Sequence, residues 1–216
     1  METVGILGGT GPAGRGVAVR LASAGYDVVL GSRDAQRASD VASAIPSTGP
    51  GTVSGVSNED AATRDLVVVA TPFESTIATL SALRAQLKGK IVISMVNALA
   101  REGRELVPLY PPRGSMAAQI AFALPESLVV GAFHHLPASM MEDLASGLDA
   151  DVLIFSDHHD ARARVGEIIN EMPGLRSIVA GSMSLASAIE AFTAVCISVN
   201  IRHKAHSYVK LAGLDE

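Results

Sequence analysis

Thr3-Val4-Gly5-Ile6-Leu7-Gly8-Gly9-Thr10-Gly11-Pro12-Ala13-Gly14 opens the chain with a short apolar run, a glycine turn and the start of an amphipathic stretch. Gly9, Gly11 and Gly14 fit G-x-G-x-x-G. In that pattern the first glycine makes the tight turn, the second lets backbone approach a pyrophosphate, and the third lets helix pack on strand. Thr10, Pro12 and Ala13 fill the turn, and the free N–H groups and dipole of the following helix favour the anion. A glycine turn alone is weak evidence, but its flanks supply a βαβ unit. Val17, Ala18, Leu21 and Ala22 recur at i, i+1, i+4 and i+5, with Arg15 and Arg20 expected off that stripe, and Gly25 at C′ ends the helix. Asp27-Val28-Val29-Leu30-Gly31 then reads as a buried parallel strand.

The end of that strand selects the nucleotide. A site for NAD usually places Asp or Glu there, roughly 20 residues after the turn, to accept from the ribose 2′-hydroxyl. Here Gly31-Ser32-Arg33 occupies the position. Ser32 can donate to a 2′-phosphate, Arg33 can pair with it, Arg37 lies one helical turn further on the same face, and Thr10 adds a hydroxyl. These residues point to NADP. The competing reading makes Arg33 and Arg37 a solvated helix face, and the nearby Asp34 can be mistaken for the ribose acid.

Working outward, the pattern predicts a helix from Asp34 to Ile45 stopped by Pro46, a strand at Val53 to Val56, and a helical turn capped by Asn58. A buried strand, Leu66 to Ala70, ends in Thr71-Pro72. A helix follows with Ile77, Leu80, Leu83 and Leu87 on one face. The strand Lys90 to Met95 exits through Val96-Asn97-Ala98. Arg101, Gly103 and Arg104 fall in a loop that Pro108, Pro111 and Pro112 keep irregular, before an apolar helix from Met116 to Leu124. Leu128 to Ala132 reads as the last strand of the nucleotide sheet and delivers Phe133-His134-His135-Leu136-Pro137-Ala138. Ligands of open α/β folds bind at the C-terminal strand edge, which makes Thr71, Pro72, Val96, Asn97 and the histidine pair candidates. Adjacent side chains on an extended segment diverge, so at most one histidine is expected to face the cleft. No metal is expected, because neither this pair nor His158-His159 matches a ligand spacing.

The remainder predicts a strand from Val152 to Phe155, a helix over 161–170, a strand from Ser177 to Val179 and a long helix from Ser182 to about Val209. Ile189, Phe192, Val195, Cys196 and Val199 give that last helix an apolar face to close the cleft or make a dimer. Arg202, His203, Lys204, His206 and Lys210 form a basic cluster at its end, either a solvated terminus or a second anion site. The expected architecture is α/β: a Rossmann-type doubly wound, mainly parallel sheet over residues 1–138, and a small C-terminal α/β unit over 139–216 ending in the long helix.

The 216 residues suffice for one substantial core, and a hydrophobic fraction of 48% suggests apolar surface buried between subunits. A net charge of −5 argues against a nucleic-acid partner. No secretory signal and no uncharged apolar run of membrane-spanning length is visible. The single cysteine, Cys196, excludes an internal disulfide and reads as a buried structural thiol. A cytoplasmic enzyme is the expectation.

The chain beyond the nucleotide fold is too short for a large helical substrate domain, and no Ser/Tyr-x-x-x-Lys set, nucleophile elbow or carboxylate pair is present. Such a site suits a hydride acceptor whose own ring stores the charge. The turn 8–14, Gly31-Ser32-Arg33, Asn58-Glu59-Asp60-Ala61-Ala62, Thr71-Pro72-Phe73-Glu74, Met95-Val96-Asn97 and His134-His135-Leu136-Pro137-Ala138 together resemble the NADPH-dependent reductases of the deazaflavin coenzyme F420. The resemblance runs from residue 3 to about residue 205. It implies NADPH across Gly9 to Gly14, with Thr10, Ser32, Arg33 and Arg37 at the 2′-phosphate. It also implies the deazaflavin between Met95-Val96-Asn97, the 134–137 turn and the C-terminal helix, His134 or solvent as proton source, and a homodimer. An imine reductase similar to pyrroline-carboxylate reductase, or a non-catalytic NADP sensor, are the alternatives.

Overall fold

The computed structural model describes residues 2–47, 49–103 and 105–214. In chain order the elements are β1 (Thr3–Leu7), α1 (Pro12–Ser23), β2 (Asp27–Ser32), α2 (Ala35–Ala44), β3 (Val53–Ser57), α3 (Asn58–Ala61), β4 (Leu66–Val69), α4 (Phe73–Ala82), α5 (Arg84–Leu87) and β5 (Ile91–Ser94). Then follow β6 (Leu99–Glu102), β7 (Glu105–Pro108), α6 (Met116–Ala123), β8 (Leu128–Gly131), α7 (Ala138–Glu142), β9 (Ala150–Phe155), α8 (His159–Glu171), β10 (Leu175–Gly181) and α9 (Ala186–His203). The eight-stranded sheet runs β10-β9-β8-β5-β4-β1-β2-β3. Its part β3-β2-β1-β4-β5-β8 is parallel throughout and has the order of a dinucleotide-binding sheet, with the topological switch between β1 and β4.

Strand periodicity explains the two-sided core. Along β4, Leu66 and Val68 join the cluster on one face with Val17, Leu21 and Ile168, whereas Val67 and Val69 join the other with Leu80, Leu87 and Ile120. Both faces are covered, so the strands read as continuous apolar runs without polar alternation.

Several local expectations are corrected. β8 is internal to the sheet: β9 joins it antiparallel at Gly131–Phe155, and β10 pairs parallel with β9. A Cβ at Gly131 would lie 2.0 Å from the Phe155 ring, so glycine is what allows this approach. The stretch after Ala98 is an antiparallel hairpin, Leu99 opposite Pro108 and Glu102 opposite Glu105. Proline is tolerated there because it ends an edge strand. Gly103 turns at φ +60, while Arg104 lies outside the described residues.

Arg20 is not off the buried stripe. It is 2% exposed, and its guanidinium donates to the carbonyls of Met140, Met141, Asp143 and Pro173, pinning the end of α7 and the turn between α8 and β10 to α1. α9 stops at His203, where Lys204 turns left-handed at φ 51. Among the described residues one helical stretch, the 21-residue Met183–His203, is long and apolar enough to cross a membrane. Its mid-helix carboxylate, Glu190, is instead buried against α6.

Candidate active site

The β1–α1 turn, the β2 exit and the β4 exit enclose a cavity of about 480 Å³ at the switch point. Of the residues expected at a nucleotide, Thr10, Gly11, Pro12, Ala13, Ser32, Arg33, Arg37, Thr71 and Pro72 line it. Gly9 and Gly14 sit behind it: a Cβ on Gly14 would come 2.8 Å from the Gly9 Cα, so their role is close packing. Pro12 opens α1 with no side chain capping the helix end, the arrangement that receives an anion. Arg33 and Arg37 are exposed at the β2 end of the cavity. Asp34 caps α2, its Oδ1 accepting from Gln36 N and Arg37 N at 3.0 and 3.2 Å, and does not line the cavity. Thr71 Oγ1 lies 2.8 Å from Thr76 Oγ1, which fixes the β4–α4 corner.

Asn58 belongs to this site although the sequence suggests a helix cap. Ser57 is the cap, accepting from Asp60 N at 3.1 Å, while Asn58 Oδ1 accepts from Gly8 N at 3.1 Å and holds the glycine turn in place. An asparagine at a strand exit on the ligand edge is the one sequence signal for it.

A second cavity, about 280 Å³, adjoins the first at Ala13, which lines both. Met95 and Asn97 enter it from β5, Phe133 to Ala138 from β8, and Thr193, Cys196, Ile197 and Asn200 from α9. Of the expected residues here only Val96 is missing; it is 4% exposed and packs into the core with Leu7 and Met116. Cys196 is half-buried at the cavity rather than sealed in the core.

The histidine pair does not behave as extended chain. Phe133 adopts φ 65, and the turn draws both imidazoles inward, 4% and 3% exposed. His134 stacks on Phe155 at 5.4 Å and its Nε2 lies 3.9 Å from Glu190 Oε1. Its carbonyl accepts from Asn97 Nδ2 at 2.9 Å and Thr193 Oγ1 at 3.1 Å, which binds the β5 exit and α9 together around the cavity. His135 Nε2 accepts from Leu153 N at 3.4 Å, which places its proton on Nδ1. Burial, with the neighbouring His135 charge, lowers His134 to about 3, and burial lowers His135 to about 4. Both rings are therefore neutral near pH 7. Glu190 accepts from Met116 N and Ala117 N at 2.7 and 2.8 Å, and burial pushes its carboxyl up to about 7 against those two bonds.

The site thus joins a cavity lined by Thr10, Arg33 and Arg37 to one whose lining carries no fixed charge. Residues 3–98 match the family of coenzyme F420-dependent NADP oxidoreductases. An F420-dependent NADP reductase of Methanocaldococcus jannaschii is 35% identical over 211 residues, covering 93% of both chains. The chain belongs to this family. A second F420-dependent NADP reductase, from Methanothermobacter thermautotrophicus, is 33% identical over 99% of this chain and 96% of its own. A crystal structure from Arthrobacter sp. FB24 superposes with a TM-score of 0.82 at 27% identity, covering 98% of this chain and 99% of the other. Family membership therefore extends over both cavities and α9.

Proposed function

We propose that the chain transfers a hydride reversibly between NADPH and coenzyme F420. The observation that carries this reading is the meeting at Ala13 of a cavity lined by Arg33 and Arg37 with an uncharged one large enough for a flat ring. Residues 1–138 bind the nucleotide and 139–216 close the deazaflavin side. The N-terminus of α1 takes the pyrophosphate, and Thr10, Ser32, Arg33 and Arg37 take the 2′-phosphate. Met95, Asn97 and the 134–138 turn, His135 included, border the deazaflavin ring. NADPH supplies the hydride and the deazaflavin takes it up with a proton. The chain's contribution is alignment of the two rings and exclusion of water. With no exposed side-chain surface, His134 holds the β5 exit and α9 in position, and the proton comes from solvent.

Mixing the protein with oxidised F420 and NADPH should bleach the deazaflavin absorbance rapidly, and NADH should do so far more slowly. No bleaching, with NADPH oxidised instead by a cyclic imine, would move the assignment to an imine reductase. NADPH binding without turnover of either acceptor would favour a sensor.

The same reading includes a homodimer formed through α9. Phe192, Val195 and Val199 stand 45%, 51% and 39% exposed as a ridge between two apolar grooves, one against β7 and one against Leu153 and Tyr208. A ridge flanked by grooves is self-complementary about a two-fold axis. Phe192→Asp should convert a dimer to monomer in analytical ultracentrifugation; a wild-type monomer would refute the interface. A reducing, cytoplasmic setting fits a chain whose only cysteine is a half-buried free thiol.

A further inference from the structure

We infer that the basic turn ending α9 holds the anionic tail of the deazaflavin, outside the cavity that takes its ring; this rests on the proposed F420 chemistry. The side chain of F420 carries a phosphodiester and carboxylates, whereas the lining of the inner cavity offers only neutral groups, both histidines included. The tail must therefore find its counter-charge at the rim.

The face of α9 that lines the cavity is Thr193, Cys196, Ile197 and Asn200, at i, i+3, i+4 and i+7. Its next turn carries His203 and Lys204. There the chain folds back: Ala205 N donates to Asn200 O at 3.1 Å, and Ser207 N to Asn200 Oδ1 at 2.6 Å. His206 Nδ1 then lies 3.2 Å from Ser139 Oγ, one residue from the cavity-lining Ala138. Residues 203–206 thus bridge α9 and α7 beside the cavity.

The charges at this rim are unevenly committed. Glu142 on α7 is held by Arg15 at 3.0 Å, while Glu105 and Arg202, 3.9 Å apart, line the separate groove against β7. Lys204 is exposed and has no ion-pair partner among the described residues. In a chain of net charge −5, a cationic strap at the one cavity that must accept a ring with an anionic tail is a selective feature.

The test compares F420 with the same deazaflavin lacking its phosphodiester tail, using the full-length protein with saturating NADPH. Lys204→Asn removes the charge with a residue that tolerates left-handed backbone, and His206→Gln keeps a partner for Ser139. The double variant should raise KM for F420 about 10-fold at low salt, leave kcat unchanged and leave KM for the tail-free compound unaltered. The salt dependence of the wild-type KM for F420 should fall with it. An unchanged KM for F420, or equal losses with both compounds, would overturn this assignment while leaving the reductase reading intact. Failure of the wild type to reduce either deazaflavin would overturn both.

Discussion

Arg33→Ala is expected to lower kcat/KM for NADPH by roughly 10- to 100-fold, the range for loss of one charge-assisted hydrogen bond to phosphate. With NADH the value should stay within about two-fold, since that nucleotide lacks the group the guanidinium pairs with. Fold stability does not confound the comparison. Arg33 is exposed and lies at the cavity mouth, and the adjacent α2 cap is formed by Asp34, whose bonds to Gln36 N and Arg37 N do not involve the arginine. NADH should gain nothing, because no acidic side chain among the described residues lines the cavity to accept from the ribose 2′-hydroxyl. Steady-state kinetics with each nucleotide at fixed F420 decide the matter, and equal weakening of both would remove the 2′-phosphate from this end of the cavity. Arg37→Ala should repeat the effect at smaller size, one helical turn further away.

Features set by neighbours in sequence were legible before the structure. The glycine turn, the runs Leu66–Val69 and Val28–Leu30, and the Ser32-Arg33 exit depend on spacing within a few residues, and the structure brings the turn and the exit together at one cavity. Features that depend on distant partners were not. Arg20 looks like a surface charge because the carbonyls that satisfy it stand 120 or more residues away in sequence. Asn58 has the chemistry of a cap, and only its 50-residue reach to Gly8 shows what it does. The positive φ of Phe133 defeated the alternation rule for the two histidines, since nothing in a phenylalanine announces a left-handed turn. Glu190 carried the least signal. A lone acid within an apolar helix reads as solvated until its partners, 73 and 74 residues earlier, are seen.

Glu190→Ala should therefore destabilise the fold by about 3 kcal/mol, because it leaves two buried helix N–H groups on α6 without an acceptor, at roughly 1–3 kcal/mol each. For a chain of this size that corresponds to a melting temperature about 6–12 °C lower. Glu190→Gln retains one carbonyl acceptor and should lose about half as much. The glutamine variant also separates two opposing pH effects. Glu190 keeps its proton up to about 7 in the fold but releases it near the ordinary 4.5 when unfolded, so its contribution falls as pH rises through that window. His134 and His135 work the other way. They stay neutral in the fold down to about 3 and 4 but become charged below 6.5 when unfolded, so their contribution falls as pH drops below 6.5. Between pH 5 and 6.5 two histidine protons oppose one carboxyl proton. The wild type should then lose at most about 1.4 kcal/mol per unit of acidification, and Glu190→Gln about twice that slope. Denaturant unfolding across this range measures both slopes. Equal slopes would mean that the α6 N–H groups hold Glu190 as a carboxylate throughout, 3.9 Å from the His134 imidazole.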